Sequence, residues 1–443
     1  MPLPATQAET RLSLLKRLKN ARAQTDALFQ LIRREAFYKR PIPERHRLIF
    51  YLGHLEVFDW NMIGRYTFQL EPLNENLERV LAFGIDPTDG SLPTDQPPDW
   101  PRIEEVESFN RRLRATLDTR LESEDWSNAQ RPYLDDGFIV QVAIEHRLMH
   151  IETMGYLLHQ MPLAQKHRQE TPLDTTDSGA TPRQVEIPAG RVTLGQPRDG
   201  LRAFGWDNEF EEHSVDVPAF SIGAYPVSNR EFLEFVRAGG YGGRSLWGEA
   251  DWAWKEKEGL RHPHFWLRRG EQWLWRGMSA EVPLPLSWPV YVSHAEASAY
   301  ARWAEKKLPT EAQWHRAAYG TANGAERAYP WGNEPPTAER GNFDCRRWDP
   351  TPVDAHPAGA SAFGVHDLLG NGWEWTSTVF GPFPGFQTFP FYPGYSAEFF
   401  DGRHYVMKGG SAATATALLR RPFRNWFQAH YPYVYATFRL VEE

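Results

Sequence analysis

Cysteine is almost absent from this chain: Cys345 is the only one in 443 residues. That excludes an intramolecular disulfide and any zinc site built from cysteines. Long apolar runs are missing as well. No stretch reaches the roughly 18 residues that a bilayer span requires, so no membrane partner is expected. Positive charge is not in excess. Lys and Arg total 49 against 57 Asp and Glu, a net charge of −8, which argues against nucleic acid as a partner. Residues 1–19 are polar and carry no apolar signal core, so a cytoplasmic location is expected. Internal repeats and low-complexity tracts are also lacking.

Aromatic residues, by contrast, are abundant: 18 Trp, 17 Tyr and 26 Phe. They point to an aromatic-packed, loop-rich domain or to a pocket for a cationic or flat ligand. The length suits two or three domains. Helical periodicity runs through the first third. Leu12, Leu15, Leu18, Ala21, Leu28 and Leu31 predict a helix over 5–37, ended by Pro41 and Pro43. A very apolar second helix is predicted over 44–70, a third over 103–121 opened by Pro101, and a fourth over about 133–161. Five prolines in the stretch from Phe83 to Pro101 inclusive predict a loop. Residues 1–161 thus read as a four-helix bundle. Residues 162–184 are polar and read as a linker.

From 185 to 443 the pattern changes. Short apolar runs alternate with Gly, Pro and Asn, and helices are predicted at 229–238, 294–306 and from Thr310, whose Thr-Glu-Ala-Gln run resembles a capping box. The fold class expected is α+β and multidomain. The Gly239–Gly243 segment has no Lys-Ser/Thr after it, so it reads as a turn rather than a phosphate loop.

His146 and His150 carry the sharpest chemical signal. At i and i+4 they share one helix face and can hold one metal ion. His54, inside the apolar second helix, supplies a third imidazole from the same bundle, and Gly53 beside it permits close approach of a neighbour. Three neutral imidazoles leave coordination positions open, which suits Fe(II) or Zn(II). Glu145 and Glu152 flank the pair, and Glu152 points elsewhere on the helix.

Longer motifs extend these signals over almost the whole chain. Gly53-His54 and His146-x3-His150 resemble the three-histidine site of DinB-type bundles. Phe204-Gly205-Trp206-Asp207-Asn208-Glu209, Leu308-Pro309-Thr310-Glu311-Ala312-Gln313-Trp314, Tyr329-Pro330-Trp331-Gly332 and Leu369-Gly370-Asn371-Gly372-Trp373-Glu374-Trp375 resemble the formylglycine-generating-enzyme type, a C-type-lectin-like fold. Formylglycine formation needs paired cysteines, which Cys345 alone cannot supply. The two parts in this order resemble the ergothioneine-type sulfoxide synthases and the related selenoneine synthases. The resemblance implies a non-haem Fe(II) held by His54, His146 and His150, and O2-dependent coupling of a thiol or selenium donor to the imidazole C2 of Nα-trimethylhistidine (hercynine).

It further implies that Asn425 and Trp426 contact the trimethylammonium group. Three departures from the family stand out. Met149 replaces a Gln that bonds the imidazole, Phe427 replaces an Asp that helps bind the donor, and Tyr431 replaces an arginine. The family's proton-donating tyrosine falls at Phe383, which leaves Tyr431, Tyr433 and Tyr435 as unassigned candidates. Cysteine is therefore expected to be favoured over γ-glutamylcysteine. A zinc-dependent DinB-type thiol transferase and a non-catalytic binding module are the rival readings. Self-association into a homo-oligomer is left open.

Overall fold

The structure is a computed structural model that describes residues 7–83, 92–128, 130–167, 173–198 and 204–443. The chain divides into two compact units, Met1–Gln169 and Glu170–Glu443.

The first unit is helical. Helix α1 (Gln7–Phe29) buries Leu14, Leu18, Ala21, Thr25 and Leu28 along one stripe. This stripe differs from the expected one: Leu12 is 68% exposed and Leu14 takes its place in the core. The helix also stops at Phe29 rather than at Phe37. The chain then turns so that Ile32 bridges to Lys166, and Arg34–Ala36 forms a single tight turn. Helix α2 (Leu48–Asp59) is buried on nearly every side and continues as a π-helical segment, Trp60–Thr67. Helix α3 (Glu75–Phe83) is an addition to the expected four. Part of the expected proline-rich loop, 84–91, lies outside the described residues. Helices α4 (Ile103–Ser123) and α5 (Phe138–Gln160) complete the unit, and α5, like α2, is mostly buried. Helices buried all round form the centre of a bundle, so the residues of α2 and α5 face one another there.

The second unit mixes short strands and helices. Strands β1 (Gln184–Ile187) and β2 (Gly190–Leu194) open it. They are followed by β3 (His213–Val217), β4 (Phe220–Gly223), α6 (Asn229–Arg237) and α7 (Glu249–Lys257). A meander of β5 (Trp266–Arg269), β6 (Gln272–Arg276) and β7 (Glu281–Pro283) turns at Gly270, whose φ of +62° favours glycine. Then come α8 (His294–Trp303), α9 (Glu311–Tyr319), β8 (Trp373–Val379), β9 (His404–Lys408), β10 (Asn425–Gln428), β11 (Ala436–Thr437) and β12 (Val441–Glu442). The sheets run β1-β4-β12, β2-β3, β5-β6-β7 and β10-β9-β8-β11, with β11 parallel to β8.

Three capping boxes start α6, α8 and α9, from Ser228, Ser293 and Thr310. Each satisfies two backbone donors that a helix start leaves unpaired. Trp314 at the core donates to Glu374, which also accepts twice from the buried Arg439 at 2.5 and 2.6 Å. No helix among the described residues is long and apolar enough to cross a membrane.

Candidate metal centre

Helices α2 and α5 bring His54, His146 and His150 together. One ring nitrogen from each lies within 4.8 Å of the other two. The ring centroids stand 5.3 Å (His54–His146), 5.1 Å (His54–His150) and 4.5 Å (His146–His150) apart. Aromatic rings wall the cluster. Phe58 lies flat against His146 at 3.4 Å, and Phe50 stacks on His54 at 4.6 Å. His146 is buried while His54 and His150 are half-buried.

All three imidazoles are held neutral. Burial is the main cause, and it pushes His54 down to about 4 and the other two well below the usual histidine range. Neutral imidazole is the state a metal needs.

Second-sphere contacts decide how a histidine presents itself. His54 Nδ1 lies 3.0 Å from the carbonyl of Leu81 on α3. A carbonyl only accepts, so Nδ1 carries the proton and the other ring nitrogen keeps its lone pair. Gly53 makes this possible. A Cβ there would stand 2.5 Å from Leu81 Cδ1 and 2.9 Å from its Cγ. Leu81 is itself fully buried and cannot swing aside. Gly53→Ala is therefore expected to push α3 off α2 and break the His54–Leu81 bond. Overpacking of this kind costs about 1–3 kcal/mol, and loss of a ligand's outer partner weakens metal affinity about 10–100-fold. Zinc titration of the folded variant measures it, and wild-type affinity would show that the contact does not matter.

The donor set fits a divalent ion of intermediate hardness. Three imidazoles with no carboxylate among the clustered groups suit Fe(II) or Zn(II) and disfavour calcium or magnesium. The Nδ1 atoms of His146 and His150 are buried without a hydrogen-bond partner among the described residues, so neither ring is anchored through Nδ1 as His54 is.

What the sequence reading missed lies between the ligands. Arg147 is fully buried. It donates to Asp59 from Nε at 2.9 Å and from Nη2 at 2.7 Å, sits 2.7 Å from Glu56 and also donates to the Leu55 carbonyl. Glu56 accepts in turn from Arg114 at 2.5 Å, and Asp59 lies 3.5 Å from Arg22. Burial alone would raise Glu56, but Arg147 and Arg114 overcome it and hold the carboxylate well below its usual range. One guanidinium thus ties the helix of His54 to the helix of His146 and His150. The signal was present in the sequence as Glu56, Asp59 and Arg147 inside two largely apolar helices, since such charges are buried only when paired.

The remaining expected site residues lie apart in the chain. Met149 is half-buried on α5, between the two histidines in sequence. Asn425, Trp426 and Phe427 lie on β10, at the edge of its sheet. Successive strand residues point to opposite faces. Trp426 therefore shares a face with its partner Val406, while Asn425 and Phe427 share the other with Met407 and Tyr405. Phe380 stacks on one face of the Trp426 indole at 4.2 Å, with Tyr395 and Phe399 at 5.6 and 5.7 Å. Phe427 stacks on Tyr431 at 5.1 Å. Phe383 is a buried core residue with the Arg424 guanidinium 4.0 Å over its ring.

Comparison with known proteins agrees with this two-part build. Residues 17–154 match the DinB superfamily, and residues 169–443 match the sulfatase-modifying factor enzyme 1-like domain. A hercynine oxygenase of Mycobacterium tuberculosis is 43% identical over 237 residues, which cover 53% of this chain and 55% of that protein. The hercynine oxygenase of Mycolicibacterium smegmatis is 39% identical over 305 residues, covering 67% of this chain and 69% of its own. Ergothioneine biosynthesis protein 1 of Neurospora crassa is 28% identical across 94% of this chain and 56% of its own length. The chain thus spans little more than half the length of some curated relatives and about two thirds of others. On its two domains and these relatives, the chain belongs to the ergothioneine-type sulfoxide synthase family.

Proposed function

We propose that the protein is a non-haem Fe(II), O2-dependent enzyme that forms a carbon–sulfur bond between a thiol donor and the imidazole C2 of hercynine. The reaction balances as hercynine plus thiol plus O2 giving sulfoxide plus water. The observation that carries this reading is the convergence of three neutral imidazoles from α2 and α5 with no carboxylate among them. A ferrous ion there would supply electrons to O2 and open positions for the substrates. The protein's part is to hold His54, His146 and His150 in register through Leu81 and Arg147, and to keep the rings unprotonated by burial. Trp426 offers the indole face not covered by Phe380 to a trimethylammonium group, an interaction worth about 0.5–2 kcal/mol.

The donor follows from Phe427 and Tyr431. A γ-glutamyl dipeptide carries additional carboxylates, and buried anions need charged or hydrogen-bonding partners. A stacked phenylalanine–tyrosine pair provides one neutral phenol where an arginine would provide a bidentate clamp. Cysteine is accordingly favoured over γ-glutamylcysteine.

The test is anaerobic iron loading followed by oxygen uptake with hercynine and competing donors at equal concentration, products read by mass. A sulfoxide formed from cysteine is expected. Preference for γ-glutamylcysteine overturns the donor assignment, and a dominant carbon–selenium product from a selenium donor makes the chain a selenoneine synthase. Zinc-supported thiol transfer without oxygen uptake overturns the reading as a whole.

A further inference from the structure

Three histidines among the described residues pair with a carboxylate: His315 with Glu326 at 3.1 Å, His404 with Asp401 at 2.9 Å and His430 with Asp251 at 2.8 Å. They differ in access. The His315 side chain is 1% exposed, that of His404 11% and that of His430 33%. Glu326 and Asp401 also serve Arg421 and Arg403, respectively. His430 alone of the three combines an accessible ring with a carboxylate that pairs with no arginine or lysine among the described residues.

The ring is also held in place. Trp254, on the same helix α7 as Asp251, lies parallel to it at 4.9 Å and 8°. Asp251 accepts at His430 Nε2, and that hydrogen bond holds its carboxyl below the usual range. An ionised carboxylate only accepts, so Nε2 carries a proton and Nδ1 is left as the acceptor. Nδ1 has no hydrogen-bond partner among the described residues. Other titratable groups surround the pair. His294 on α8 and Arg302 act on Asp251, and His430 and Asp251 in turn act on His294. His294 itself is locked, stacked on Tyr405 at 3.7 Å with Nε2 3.2 Å from the Thr376 carbonyl.

We propose that His430 is the base that takes the S–H proton of the donor, with Asp251 as its positioning residue. The assignment rests on the function proposed above, because His430 lies beside Tyr431 and three residues after Phe427, the positions assigned to the donor. The S–H bond breaks, its electron pair stays on sulfur, and the proton passes to Nδ1. The imidazolium is stabilised by the Asp251 carboxylate, and the proton leaves with the oxygen atom released as water. No additional co-reactant is needed.

A selenol is ionised at neutral pH and needs no base, so the two donor types separate this role from a structural one. In the iron-loaded full-length protein, His430→Ala is expected to lower kcat with cysteine by about 10²–10⁴, the usual contribution of a positioned base. With selenocysteine the loss should stay below about tenfold, and added imidazole should restore part of the cysteine rate. His430→Gln retains a side-chain donor for Asp251 and should show the same donor dependence if the alanine variant folds poorly. Asp251→Asn should lower kcat with cysteine while leaving KM nearly unchanged. Equal losses with both donors, or no loss, overturn the role of His430 while wild-type turnover leaves the function standing. A wild type that turns over no donor overturns the function and this assignment together.

Discussion

Divalent metal at about a thousand times its dissociation constant is expected to raise the melting temperature of the histidine-bearing unit by roughly 10 °C. Ligand that binds only the folded state adds about 4 kcal/mol at that ratio, and each kcal/mol moves the midpoint about 2–4 °C in a domain of this size. His54→Ala, His146→Ala and His150→Ala should each abolish the shift and the bound metal. Two imidazoles cannot replace three when no carboxylate belongs to the cluster. Scanning calorimetry with zinc, and with iron under anaerobic conditions, measures this without any substrate. A variant that keeps the full shift removes its histidine from the centre. The three losses need not be equal. His54 alone is anchored through Nδ1, to Leu81, whereas His146 is held by the flat face of Phe58.

How much of this centre could be read from the sequence follows from how local each feature is. His146 and His150 are visible because an i, i+4 pair is decided by helix geometry alone. His54 is visible as a polar residue in an apolar helix. The Leu81 carbonyl is not, because every residue has one and nothing in the side chain marks it. Helix α3 was missed for a related reason: nine residues beside a proline-rich segment give too little periodicity to stand out. Thr-x-x-Gln at Thr310 marks a capping box in the sequence, and Ser-x-x-Glu at Ser228 and at Ser293 marks two more. In the second unit the motifs located β10 without its strand character. Once Asn425–Gln428 is a strand, the separation of Trp426 from Phe427 follows from the period of two.

Arg147→Met is expected to be the most destabilising single change in the first unit. It leaves Glu56 and Asp59 buried after removing the guanidinium that both face. Breaking a buried ion pair from one side costs about 3–5 kcal/mol, which urea unfolding can resolve. Arg114 and Arg22 soften the loss, since Glu56 keeps a 2.5 Å partner and Asp59 a 3.5 Å one. Asp59 is already pushed up by burial, and without Arg147 it rises further. A carboxyl raised in the folded state binds a proton that the unfolded chain gives up, so folding of the variant should weaken as pH rises. Its deficit against the wild type should thus be larger at pH 8 than at pH 5. The triple variant Glu56→Gln, Asp59→Asn, Arg147→Met removes all three charges and should recover most of the lost stability, because the cost comes from unpaired charge rather than from the missing pair. It should not recover metal affinity fully, since the guanidinium that ties α5 to both Glu56 and Asp59 of α2 is gone. Full recovery of both would reduce Arg147 to a neutral packing element. A single variant as stable as the wild type would show that Arg114 and Arg22 already balance the two acids.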